Sequence, residues 1–181
     1  MVERSPLSDS PQASPPAPFI VTAELPPDVL AWADGLRRAH FPPERNWLRA
    51  HVTLFHNFAP SLRTELLAML GSLAGEFAPP PCAVTGVMNL GRGTAIALSS
   101  PGMLRVRGLI ADRFHGALTA QDRHSPRLHI TVQNKVTSQE ARALHGALAA
   151  EFRPRPIRIA GLAAWYYRGG PWEAIAERRF R

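Results

Sequence analysis

The sequence predicts an α+β fold: a bilobal, duplicated molecule with two antiparallel sheets facing across a central cleft and helices outside. Three observations predict it. Short segments of alternating polar and apolar residues, typical of half-buried strands, are interleaved with segments whose apolar residues recur at helical spacing. Clusters of proline and glycine separate these segments. One polar pattern within a predicted strand then occurs a second time later in the chain, which indicates two similar halves.

The first half of the chain begins with two strands and two helices. A run of apolar and β-branched residues predicts a strand over 19–25. Asp28 is expected to cap a helix that ends near His40, because two prolines follow soon afterwards. The alternating segment 48–56 predicts the second strand, and Ser61 is expected to cap a second helix that ends before a run of three prolines.

The first half ends with a hairpin, because the predicted strands 82–90 and 94–98 are joined by a short Gly-Arg-Gly turn. Ser99 or Ser100 is expected to open a third helix, with a proline near its first position. The remaining predicted elements are a strand over 127–136, a helix bracketed by Glu140 and Glu151 after Ser138, and strands over 157–167 and 172–180.

Composition restricts the classes of protein that this chain can belong to. Residues 1–18 are rich in proline and serine and are expected to be a disordered tail, so 19–181 form the predicted domain. Cys82 is the only cysteine, which excludes an intrachain disulfide and a cysteine-based zinc site and fits a cytoplasmic protein. The net charge is +7, and 20 of the 21 basic residues are arginines, which favours a polyanionic partner. No apolar run approaches the length of a membrane span.

The repeated pattern is a histidine followed two residues later by a threonine. His51 and Thr53 share one face of the second strand, and His129 and Thr131 share one face of the strand 127–136, since side chains alternate along a strand. By composition alone, about 0.3 such triplets would occur by chance. Two half-buried histidines of purely structural role are the alternative, but two such triplets within apolar alternation favour a shared site.

With these two motifs the sequence resembles the 2H phosphoesterases, a family that includes the RNA 2′,3′-cyclic phosphodiesterases also called 2′-5′ RNA ligases. His51-Val52-Thr53-Leu54 and His129-Ile130-Thr131-Val132 match the two His-x-Thr/Ser-x motifs of that family. The resemblance covers the chain from about Phe19 to the C-terminus. It implies two lobes related by a pseudo-twofold axis, with the two histidines facing each other.

The resemblance also implies a reaction. One histidine takes a proton from water and the other gives one to the leaving ribose oxygen, while Thr53 and Thr131 hold the phosphate oxygens. In the family the first histidine is usually the acid, which makes His51 the donor and His129 the acceptor. No cluster of possible ligands has metal-site spacing, so we expect neither a metal nor another cofactor.

Three further residues are candidates for contacts with the substrate. Lys135, the only lysine, falls on the predicted His129 face and is a candidate phosphate ligand; a solvated lysine at the strand end is the alternative. Phe55, on the predicted His51 face, and Tyr167 are candidates for base stacking. Core packing and cross-strand pairing are the alternative for the aromatic residues.

The expected activity is hydrolysis of a 2′,3′-cyclic phosphate at an RNA end or on a related nucleotide. The alternatives are 2′-5′ RNA ligation, hydrolysis of a 2′-5′ oligonucleotide or a small cyclic nucleotide, and non-catalytic binding of RNA ends. The expected partner is RNA or a nucleotide, not a membrane. No protein partner can be inferred, and we expect a monomer.

Overall fold

The computed structural model describes residues 16–181, in which eight strands and four helices are found. The strands are β1 (Phe19–Glu24), β2 (Val52–Phe58), β3 (Pro81–Asn89), β4 (Gly93–Ser99), β5 (His129–Asn134), β6 (Arg155–Arg158), β7 (Gly161–Tyr166) and β8 (Glu173–Arg179). The helices are α1 (Pro27–His40), α2 (Arg63–Glu76), α3 (Pro101–Arg113) and α4 (Ser138–Glu151). Short 3₁₀ turns occupy Pro43–Arg45, Pro60–Leu62 and His115–Ala117. None of the helices in this part of the chain is both long and apolar enough to cross a membrane.

The strands form two four-stranded antiparallel sheets, which confirms the predicted fold class. The first sheet has the order β2-β1-β7-β8 and the second the order β5-β4-β3-β6. The strand that carries each His-Thr motif therefore lies at the edge of its sheet. In each sheet the neighbour of the motif strand is the strand that precedes it in the chain, β1 or β4, so these two positions correspond in the two sheets.

The hairpins are exchanged between the halves of the chain. The hairpin β3–β4 follows the first motif but belongs to the sheet of the second motif, and β7–β8 follows the second motif but belongs to the first sheet. The predicted strand 157–167 is for this reason two strands, β6 and β7, in different sheets. Between them, the Ile159 amide donates to Pro80 and the Ala160 amide donates to Glu24, so the chain changes sheet at this step.

Helices pack against both sheets and close one continuous core. Helix α2 packs on β7 and β8, α4 packs on β3 and β4, and α1 contacts β5 of the second sheet. Buried side chains from both sheets belong to a single apolar cluster, which includes Phe58, Leu70, Val84, Ile130 and Leu162. Because the two lobes share this core, separating them would expose apolar surface from each.

The observed helix caps agree only in part with those predicted from the sequence. Ser100 caps α3 and accepts a hydrogen bond from the Met103 amide at 3.2 Å, as predicted. The predicted caps Asp28 and Ser61 are wrong: Asp28 lies inside the first turn of α1, and Ser61 lies in a 3₁₀ turn before α2. Pro27 begins α1, and Pro60 begins the 3₁₀ turn before α2. The fixed φ of proline suits the start of a helix without a side-chain cap.

The predicted tail 1–18 lies mostly outside the described residues. Its last three residues are described. Ala17 is buried, and the carbonyl of Pro18 accepts a hydrogen bond of 3.1 Å from the amide of Tyr167.

Candidate active site

The two motif histidines occupy equivalent positions in the two sheets. His51 directly precedes β2, and His129 is the first residue of β5. These two edge strands contact each other where the sheets meet. His51, Thr53, His129 and Thr131 line one cleft of about 420 Å³. The structure therefore brings together the four residues that the repeated motif singled out.

Each histidine is held by the same hydrogen bond. Nδ1 of His51 donates to the carbonyl of Arg49 at 2.7 Å, and Nδ1 of His129 donates to the carbonyl of Arg127 at 2.7 Å. A carbonyl can only accept, so Nδ1 carries a proton in both rings. When the ring is neutral, Nε2 then holds the lone pair. Each histidine can accept a proton at Nε2, or donate one from it after protonation.

His51 is neutral over a wider pH range than an ordinary histidine. Burial lowers its pKa to about 4; the hydrogen bond to the Arg49 carbonyl opposes this, and the charges of Arg37 and His129 add to it. The Trp172 ring contributes to this burial, with its centroid 4.5 Å from that of the imidazole. In the free protein His51 is thus a proton acceptor near neutral pH.

The threonines contribute hydroxyl groups to the cleft. Thr53 and Thr131 are both half-buried. Neither hydroxyl has a hydrogen-bond partner among residues 16–181, so both can donate to a ligand. Two hydroxyls beside two imidazoles suit a tetrahedral anion, whose oxygens accept from the hydroxyls while proton transfer occurs at the nitrogens.

Two buried arginines fix the motif strands relative to each other. Arg37 of α1 donates to the carbonyl of Leu48 at 3.1 Å and to the carbonyl of Thr131, in the other lobe, at 2.8 Å. Arg107 of α3 donates to the carbonyl of Leu54 at 3.4 Å. Burial lowers the pKa of both guanidinium groups. Arg37 therefore joins the segment before β2 to β5, and Arg107 holds β2 to α3.

Asp122 holds the loop that forms one wall of the cleft. Its carboxylate accepts hydrogen bonds from the backbone amides of His56 and Asn57 at 3.0 Å and from the His56 ring at 2.9 Å. Burial alone would raise the pKa of this carboxyl, but these hydrogen bonds outweigh it and lower the pKa below its usual value. Arg107 also donates to the Asp122 carbonyl. Arg107 and Asp122 together therefore join the loop to α3 and to β2.

Phe55 is not a base platform, because a bulge in β2 turns it inward. Thr22 of β1 pairs with Thr53, but the preceding Val21 pairs with Phe55, so Leu54 is an extra residue. The extra residue reverses the alternation of side chains after Thr53. Phe55 is fully buried in the core, with the Arg107 guanidinium 4.4 Å from its ring centroid.

An equivalent bulge in β5 changes the positions of the polar residues beyond Thr131. Ala95 pairs with Thr131 and Thr94 pairs with Gln133, so Val132 is the extra residue. Gln133 is consequently buried and accepts a hydrogen bond from the Thr94 hydroxyl at 3.3 Å. The predicted polar face of this strand therefore ends at Thr131.

Lys135 and Tyr167 do not line the cleft of the two histidines. Lys135 follows the end of β5 with a left-handed φ of 63°, and its side chain is exposed. Both residues line a separate open groove of about 640 Å³, together with Trp47 and Trp172. A direct contact of Lys135 with a phosphate between the histidines is not favoured by this position.

Sequence reasoning missed Arg127 and His124, which also line the cleft. A signal for Arg127 was present, because an arginine stands two residues before each motif histidine: Arg49 before His51 and Arg127 before His129. His124 lies in the loop 121–126, which is held by the buried Asp122, and no periodic pattern marks such a loop. Within residues 16–181 no group of three or more histidine, cysteine, aspartate or glutamate side chains is arranged to hold a metal ion.

Comparison with known proteins agrees with this architecture. The sequence matches the model of the 2′-5′ RNA ligase superfamily over residues 25–171. No curated protein matches it. Solved structures with similar folds include TT0787 of Thermus thermophilus, with 18% identity and a TM-score of 0.62 over 91% of this chain and 98% of that chain. E. coli LigT complexed with 3′-AMP has 16% identity and a TM-score of 0.55 over 91% of this chain and 98% of its own. The chain therefore belongs to the 2′-5′ RNA ligase superfamily, whose model spans both histidine motifs.

Proposed function

We propose that the protein hydrolyses 2′,3′-cyclic phosphates at RNA ends or on nucleotides, without a metal ion. One observation carries the proposal: two histidines with the same Nδ1 hydrogen bond line one cleft, each with a threonine two residues later. Opening a cyclic phosphate requires one proton acceptor and one proton donor on opposite sides of phosphorus, and two imidazoles supply both. The LigT structure with bound 3′-AMP supports a nucleotide as the ligand class.

The chemistry follows from the protonation states of the two rings. Water attacks phosphorus and gives its proton to Nε2 of one histidine, while the bond from phosphorus to a ribose oxygen breaks. The other histidine donates its Nε2 proton to that oxygen. The product is a single 2′- or 3′-monophosphate whose neighbouring ribose hydroxyl is free. Hydroxyl hydrogen bonds from Thr53 and Thr131 stabilise the charge that builds on the non-bridging oxygens.

We assign the base role to His51 and the acid role to His129. The lowered pKa of His51 leaves its Nε2 unprotonated near neutral pH, which suits a group that must accept a proton. The acid role then falls to His129. This assignment is the reverse of the one that the family resemblance implied.

The same pair would join an RNA 5′-hydroxyl to a 2′,3′-cyclic end if that hydroxyl attacked phosphorus in place of water. In that reaction His51 would take the proton of the 5′-hydroxyl, and His129 would give one to the leaving ribose oxygen. Ligation is therefore the second candidate for this site, and a single assay reports both reactions.

The test is a panel of 2′,3′-cyclic mononucleotides and of RNA oligomers with cyclic ends, incubated with the protein in the presence of EDTA. We expect monophosphate products at a rate that EDTA does not change. Joined oligomers in place of monophosphates would favour ligation. Loss of turnover with EDTA would contradict the metal-independent mechanism. Binding without any turnover would show a non-catalytic RNA-end binder.

A further inference from the structure

A second cavity, of about 280 Å³, adjoins the cleft at His51. It is lined by three tryptophan side chains, Trp47, Trp165 and Trp172, and by the carboxylates of Glu24 and Glu177. Three aromatic rings with two carboxylates are more than core packing requires. This cavity shares His51 with the cleft, so a ligand whose phosphate lies between the histidines can extend into it.

Strand pairing places the two carboxylates on the face of the first sheet that carries Thr53. Thr22 pairs with Thr53 across β1 and β2, and Glu24 lies two residues further along β1 on the same face. Thr22 also pairs with Ala163, and Ala163 pairs with Glu177 across β7 and β8. The cavity is thus built on the same face of the sheet as the first motif.

Glu24 is held in place by a chain of hydrogen bonds. Nε1 of Trp165 donates to the Thr22 hydroxyl at 2.8 Å, and this hydroxyl donates to Oε1 of Glu24 at 3.0 Å. No described residue donates to Oε2, which can accept from a ligand. Burial raises the pKa of this carboxyl, and the charge of Glu177 raises it further, although the Thr22 hydrogen bond opposes both. A ligand that donates to the carboxylate would offset this cost of burial.

The cavity also contains one hydrogen-bond donor of opposite charge. Arg49 lines it, and its charge acts on Glu24. Only its Nε has a hydrogen-bond partner in the described part of the chain, the Asp34 carboxylate at 3.0 Å. Its terminal amino groups can therefore donate to a ligand in the cavity. The wall then presents a carboxylate acceptor and a guanidinium donor beside flat aromatic rings.

Among the four RNA bases, only guanine has two adjacent donors, N1–H and the N2 amino group, and it has the acceptor O6 beside them. Adenine and cytosine would direct a ring-nitrogen lone pair at the carboxylate, and uracil offers one donor between two acceptors. Resting on the proposed function, we propose that this cavity binds the base of the terminal nucleotide and selects guanine. Glu24 accepts from N1–H and N2–H, Arg49 donates to O6, and the tryptophans stack on the ring.

The test measures kcat/KM for the 2′,3′-cyclic phosphates of guanosine, inosine, adenosine, cytidine and uridine. We expect guanosine to be the best substrate, and inosine, which lacks only the N2 amino group, to be roughly 10-fold worse. Glu24→Gln should reduce the ratio of guanosine to uridine activity by roughly 10- to 100-fold, because a charged acceptor is lost. Glu76→Gln, an exposed carboxylate at the end of α2, is the matched control and should leave that ratio unchanged.

Two outcomes would overturn the guanine site. One is equal kcat/KM for guanosine and inosine. The other is an equal loss for every base in Glu24→Gln, which would indicate a purely structural role. The inosine comparison needs no protein variant, so misfolding of Glu24→Gln would not prevent a decision.

If no cyclic phosphate is hydrolysed, the proposed function fails separately. Calorimetric binding of guanosine and inosine monophosphates would then still test the cavity: a preference for guanosine supports it, and equal affinities contradict it.

Discussion

At the scale of single residues, the surroundings of His51 decide its protonation state, because burial lowers its pKa to about 4. Histidine at position i and threonine at i+2 reveal a shared face, and both pairs line the cleft. The ring of Trp172 contributes to the burial of His51, and Trp172 is far away in the sequence and contacts His51 only in the folded chain. No local pattern contains that information.

The assignment of His51 as base predicts how the activities of His51→Ala and His129→Ala depend on the leaving group of the substrate. A nitrophenolate leaves without protonation, so a nitrophenyl phosphodiester does not need the acid. His129→Ala should retain much more activity on this substrate than on a 2′,3′-cyclic phosphate, relative to wild type, whereas His51→Ala should lose activity on both. Steady-state rates on the two substrates measure this. The opposite pattern would make His51 the acid.

Burial of neutral His51 also predicts the dependence of stability on pH. Its pKa is about 4 in the folded protein and near 6.5 when unfolded, so between these values the unfolded state binds more protons. This site should therefore lower the free energy of unfolding by up to about 3 kcal/mol as pH falls from 6.5 to 4. Urea denaturation should show a shallower decline in His51→Gln, whereas the exposed control His115→Gln should follow wild type. Identical pH profiles for His51→Gln and wild type would contradict the burial of His51.

At the scale of secondary-structure elements, the sequence predicted most segments but not their irregularities. Alternation places Phe55 on the His51 face, and this prediction is wrong because one extra residue, Leu54, follows Thr53. Val132 is the equivalent extra residue after Thr131. A bulge changes the register by one residue without changing the polar and apolar pattern before it. It therefore has no signature in periodicity alone.

The buried arginines join elements that the sequence analysis treated as separate. Replacing Arg37 with methionine keeps apolar bulk but leaves the carbonyls of Leu48 and Thr131 without a donor. We expect a loss of about 2–4 kcal/mol in the free energy of unfolding and a lower kcat, because β5 is no longer tied to α1. Arg38→Met, at the exposed neighbouring position, is the control and should change neither quantity substantially. Urea denaturation and kcat measure the two effects; equal stability of Arg37→Met and wild type would show that the bridge is not structural.

At the scale of the whole molecule, the sequence predicted two similar halves but not their exchange of hairpins. The motifs repeat in chain order, so the simplest arrangement keeps each hairpin with the motif before it. In the structure β3–β4 pairs with β5, and β7–β8 pairs with β1. Pairing between distant strands is decided by the shared core and by strand register, neither of which a local pattern encodes.

The net charge of +7 predicts how binding depends on salt. An RNA oligomer contacts many phosphate positions and a mononucleotide few, so raising the salt concentration should weaken oligomer binding steeply and mononucleotide binding only slightly. Fluorescence titration of both ligands across a salt series, with His51→Ala preventing turnover, measures the two slopes. Equal slopes would indicate that the arginines do not follow an RNA path and would favour a small nucleotide as substrate.

The most direct measurement of the central claim is kcat/KM for His51→Ala, His129→Ala and the double variant on one cyclic-phosphate substrate in EDTA, with circular dichroism to verify folding. Two histidines that act as one acid–base pair should each cost about 10²–10⁴-fold, and the double variant should be scarcely worse than either single variant. A folded single variant that keeps more than about a tenth of the wild-type kcat/KM, or losses that multiply in the double variant, would contradict the two-histidine mechanism.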